Sequence, residues 1–121
     1  MLGYKVFGAG ASGPLGAAIC KDTESGISAA GTTQATATEL VAADSELTTV
    51  AAGSGVVLNA SLAAGDEQSV FNAGANAVRI YPPSGFRINN LSTNAAMLLS
   101  RNTGVIFKCV SSTRVFGVLS A

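Results

Sequence analysis

The chain has 121 residues, seven basic and seven acidic side chains, and neither histidine nor tryptophan. A net charge of zero argues against binding nucleic acid by neutralising phosphates, and the missing histidine excludes His-based triads, His–metal sites and an imidazole pH switch. Charged residues are only 12% of the chain, about half the roughly 25% usual in a globular domain, which points to one small domain that assembles.

Residues 1–31 are rich in glycine and serine, with apolar islands at Tyr4–Phe7 and Leu15–Cys20. No period lasts long enough to define an element, so this segment reads as an extended arm, with Leu2, Tyr4 and Phe7 as its apolar anchors. The glycines and Pro14 would break the helix of a secretory leader, and the segment reads as part of the mature chain. Gly8-Ala9-Gly10-Ala11-Ser12-Gly13 fits the G-x-G-x-x-G spacing of a dinucleotide site. Its context fails: no crossover helix follows, and Asp22 and Glu24 come too early to hold a ribose. No cofactor is expected.

From Thr32 the texture changes. Thr32, Gln34, Thr36 and Thr38 alternate with Thr33, Ala35 and Ala37, a period of two that predicts a strand. Further strands are predicted at Glu46–Val50, Val56–Leu58, Gln68–Asn72, Ala77–Tyr81, Phe86–Leu91, Ala95–Ser100, Val105–Val110 and Arg114–Leu119. Glycine, asparagine, serine and proline separate them. Short strands recurring every 8 to 12 residues are the pattern of an all-β sandwich or barrel. The expected architecture is an all-β, single-domain, jelly-roll-like β-sandwich over 32–121 behind the arm at 1–31. No run reaches the roughly 18 apolar residues of a membrane helix.

Few side chains invite chemistry. Asp44/Glu46 and Asp66/Glu67 are the close acid pairs, and both sit beside predicted turns, where solvated carboxylates are usual. Cys20 and Cys109 form no metal-binding spacing and read as buried free thiols, in keeping with a reducing compartment at synthesis. Arginines neighbour aromatics at Arg79/Tyr81, Phe86/Arg87 and Arg114/Phe116. These fit strand alternation, with Arg79, Tyr81 and Arg87 as candidate subunit or capsid contacts. All seven acids lie in residues 22–67, and five of the seven bases lie in 79–114. Either the two halves interleave their charges in one fold, or acidic and basic edges of neighbouring subunits meet.

From Gly31 onward the text resembles small structural proteins of tailed bacteriophages. The matching runs are Gly31–Thr38, Thr48–Leu58, Asn72–Gly85 and Ile88–Leu91. The most specific is Asn72-Ala73-Gly74-Ala75-Asn76-Ala77-Val78-Arg79-Ile80-Tyr81-Pro82. The chain departs from the pattern at Val115-Phe116-Gly117, where such proteins often carry a tryptophan. The resemblance implies a β-rich virion component without enzymatic activity, made in the host cytoplasm. Its expected role is a capsid decoration (cement) protein, a homotrimer partnered with the major capsid protein, with no nucleic-acid or membrane partner. The alternative is a receptor- or glycan-binding fibre or spike module, favoured by an exposed aromatic cleft at Tyr81, Phe86 and Arg87.

Overall fold

The structure is a computed structural model that describes residues 22–120. Leu2, Tyr4, Phe7 and Cys20 lie outside the described residues. The described residues form ten strands and no helix: β1 Thr23–Ser28, β2 Thr38–Glu39, β3 Asp44–Thr49, β4 Gly55–Val57, β5 Glu67–Asn72, β6 Val78–Tyr81, β7 Arg87–Ile88, β8 Met97–Leu99, β9 Thr103–Ser111 and β10 Arg114–Leu119. The all-β expectation holds. Alternation explains the strands: along β9, Val105, Phe107 and Cys109 are buried while Ile106, Lys108 and Val110 are exposed. Such alternation is what a pleated backbone with one buried face requires.

The chain passes back and forth between two sheets. β1, β3 and β5 stack side by side in a six-stranded sheet ordered β1-β3-β5-β9-β10-β7, and β2, β4 and β6 stack in a four-stranded sheet ordered β2-β4-β6-β8. Each of these neighbours runs parallel to the last: β1 to β3, β3 to β5, β2 to β4 and β4 to β6. The path is therefore a short solenoid-like coil. Thr23 stands 21 residues before its neighbour Asp44 in the next turn. The later strands reverse direction, with β8 antiparallel to β6, β9 to β5 and β10 to β9.

This corrects the jelly-roll expectation. A jelly roll is built from antiparallel Greek-key pairs, whereas the first six strands here pair in parallel. Regular spacing of short strands is common to both architectures. It does not encode which strand becomes the neighbour of which.

One core lies between the sheets. Leu47, Val70, Ile88, Val105, Phe107 and Val115 come from the larger sheet, Val56, Val78, Ile80 and Leu99 from the smaller, and Leu40 and Leu58 from the corners. Burying each such side chain is worth about 1.5–3 kcal/mol.

Two buried amides satisfy the corners. Gln68 Nε2 donates to Leu40 O (2.7 Å) and Ala42 O (3.1 Å), and its Oε1 accepts from Asn59 N. Asn72 Nδ2 donates to Asn76 O and Leu99 O, and its Oδ1 accepts from Gly74 N. A coil that turns sharply strands backbone groups at each corner, and these side chains pair them.

The strand predicted from the alternation at 32–38 is a turn except for its last residue. Thr33 O accepts from Thr36 N and Ala37 N, and the two threonine hydroxyls lie 2.8 Å apart. Threonine side chains that bond their own backbone compete with the ladder. Residues 22–31, counted with the arm on sequence grounds, supply β1, and Ala30 bridges to Gly55. Among the described residues β1 is an edge strand, and its register against β3 slips around Gly26, where φ is +76°.

Candidate functional site

The outer face of the larger sheet carries the most unusual surface among the described residues. Three cross-strand rows build it. Glu46 stands beside Phe71 and Phe71 beside Gly104. The second row runs Asp44, Ser69, Ile106, Val118. The third runs Glu67, Lys108, Phe116. Phe71, Ile106, Val110, Phe116 and Val118 make up most of the large apolar side chains left exposed, at 40–69%. Antiparallel sheets ordinarily turn a polar face to water, and a contiguous apolar patch rimmed by charge marks an interaction surface.

The flanks of this patch differ in sign. On one side β3 presents Asp44 and Glu46, whose carboxylates accept hydrogen bonds from Thr23 and Ser25 of β1. On the other, Arg87 of β7 pairs in register with Arg114 of β10. The Arg114 guanidinium sits 4.5 Å from the Phe116 ring centroid and donates to Asn89 O and Asn90 Oδ1. These bonds hold it over the aromatic face, a cation–π arrangement. Lys108 and Glu67 form the one ion pair among the described residues, at 3.4 Å, both exposed.

The candidate contacts read from the sequence do not converge. Arg87 lies on this face. Arg79 is exposed on β6, in the other sheet. Tyr81 is 9% exposed, its ring lies against Gly55, and its hydroxyl donates to Thr32 O at 2.9 Å. It fastens the 32–37 turn to the smaller sheet and presents no ring to a ligand. Phe86 is half-buried against the core. An exposed aromatic cleft of Tyr81, Phe86 and Arg87, the feature that would favour the fibre reading, is therefore not formed.

The acid pairs separate into different duties. Asp66 Oδ2 accepts from Ala63 N and closes a turn, while Glu67 meets Lys108. Asp22, Asp44, Asp66 and Glu67 share an open polar cleft of about 570 Å³ with Gln68 and Lys108. Among the described residues no three ligating side chains gather to hold a metal ion. Cys109 is a buried free thiol whose Sγ donates to Ser111 O, and burial pushes it above its ordinary range.

The apolar face was missed on the sequence, though a signal was present. Val105–Val110 and Val115–Leu119 are apolar at both parities. A strand exposed to water on one side has apolar residues at only one. No protein-family model, no curated protein and no solved structure matches this chain.

Proposed function

We propose that this chain is a structural protein of a tailed-bacteriophage virion, a decoration protein that assembles as a homotrimer and cements the major capsid protein. The observation that carries an assembly role is the exposed apolar face around Phe71, Ile106, Phe116 and Val118. A small domain gains nothing from leaving such side chains in water. It gains a binding surface if they are covered by protein. The phage assignment is supported by the resemblance of the Asn72–Pro82 run.

In this role the work is mechanical. Many weak contacts repeated over a lattice combine into tight attachment, and the shell gains stability by mass action from a ligand that binds only its assembled form.

The test is co-sedimentation of the full chain with capsids of the phage that encodes it, followed by reconstruction of the decorated particle. Density for this chain on the outer capsid lattice, with raised capsid melting temperature, is the expected result. Density confined to the tail or its fibres, or no binding, overturns the reading.

A further inference from the structure

We infer that the outer face of β5, β9 and β10 is the contact between copies of this chain, with the acidic flank of one copy set against the basic flank of the next. The inference rests on the assembly reading above and names its surface. Two observations carry it.

The first is the apolar centre of the face, where Phe71, Ile106, Phe116 and Val118 occupy neighbouring rows of the antiparallel β5-β9-β10 part of the sheet. The second is the order of charge across it. Asp44 and Glu46 lie on the β3 side, and Arg87 and Arg114 on the β7 and β10 side. Neither arginine stands within ion-pair distance of a carboxylate among the described residues.

Apart from the Glu67–Lys108 pair, which neutralises itself between β5 and β9, the face is ordered acid, apolar, base across its strands and is complementary to itself. Rotation about an axis that runs along the strands in front of the face returns the apolar rows to each other and brings acid to base. With three copies, the apolar rows line the axis and each Asp44/Glu46 flank abuts the next copy's Arg87/Arg114 flank. Complementarity of this kind fixes orientation and suppresses wrong pairings, while the apolar centre supplies the affinity. A foreign partner would have no reason to match both flanks at once. Arg114 is already held over Phe116 by Asn89 and Asn90, so little side-chain freedom is lost when it is covered.

The experiment is sedimentation velocity on the full chain from low to high micromolar concentration. The wild type is expected to sediment as a multiple of its 12.0 kDa mass. Ile106→Lys with Val118→Lys, both outward-facing, should give single chains with unchanged circular dichroism. Leu98→Lys, equally exposed but on the smaller sheet, should leave the mass unaltered.

A second pair keeps the test sound if charge in the apolar rows harms folding. Glu46→Arg and Arg87→Glu should each weaken association about two- to fivefold, as expected for exposed ion pairs. The chain carrying both should recover wild-type association, and added salt should erase these differences. A wild type that is monomeric throughout, or lysine variants that keep the wild-type mass, would overturn the inference. Failure of the capsid reading is separate, because it is scored by binding to particles. A two-chain mass with the same sensitivities would keep this face and overturn the trimer.

Discussion

The ring of Phe71 lies across the backbone of Gly104 on the neighbouring strand. A Cβ placed on Gly104 would come within 2.6 Å of Phe71 Cδ1 and 3.0 Å of Cε1. The absent side chain is the seat of the ring, and the aromatic covers backbone that glycine would leave bare. Gly104→Ala should displace the ring and destabilise the fold by about 1–2 kcal/mol, the scale of modest overpacking. In the Phe71→Ala background the same change should cost almost nothing. Urea unfolding of the four chains checks the coupling, and additive effects would refute the contact.

Asn72 joins β5 to the corner that follows it. Asn72→Ala removes two donated bonds and one accepted bond and leaves Gly74 N and Leu99 O without this partner. The expected loss is about 2–4 kcal/mol, since unsatisfied buried groups cost about 1–3 kcal/mol each and relax in part. Asn76→Ala, which gives up a single bond from a more exposed amide to Val50 O, should cost no more than about 1 kcal/mol. Thermal unfolding would rank the two.

Burial pushes the Cys109 thiol above its ordinary range, the Ser111 carbonyl bond opposes this, and Asp66 adds a smaller push upward. A raised folded value means that the fold favours the protonated thiol. That contribution is complete below the unfolded value and declines as pH climbs through the folded one. Wild-type stability should therefore fall more steeply above about pH 9 than that of Cys109→Ala. Urea midpoints from pH 7 to 10.5 measure the difference, and parallel curves would contradict it.

Deletion of residues 1–31 removes β1, and with it Ala29, Ile27 and the hydroxyl bonds to Asp44 and Glu46. Deletion of 1–21 leaves every one of those contacts in the chain. The longer deletion should lower the melting temperature by at least about 5 °C more than the shorter one does, roughly 1 kcal/mol for a domain of this size. If the proposed arm anchors Leu2, Tyr4 and Phe7 contribute to capsid binding, the shorter deletion should still fold yet occupy fewer capsid sites. Equal melting temperatures for the two truncations would show that β1 is dispensable.

Much of the strand content was legible because alternation is local. β3, β5, β6, β9 and β10 fall within about two residues of their predicted ranges. What failed was information that alternation lacks. Thr32–Thr38 alternates as well as any strand, but Thr33 and Thr36 spend their hydroxyls on a turn. Partner and direction were also silent, so a parallel coil and a jelly roll read alike. For the site, the split of charge along the chain was visible, and within one fold the acidic and basic halves meet at Glu67 and Lys108. Tyr81 misled because a tyrosine beside an arginine on a strand looks solvent-facing, whereas the 32–37 turn folds over it. Gln68 and Asn72 looked like ordinary polar strand positions until the corners they satisfy were seen.

The register slip in β1 bears on how large the proposed assembly could grow. A straight edge strand offers its unpaired backbone to any similar edge, and coils that accept one another end to end polymerise without limit. Around Gly26 the edge bends out of register after Glu24 and again after Ile27, which spoils the template a further strand would need. In the proposed assembly, pairing along β1, the edge among the described residues, is thereby disfavoured, and association through the broad side of the sheet would close at a finite size.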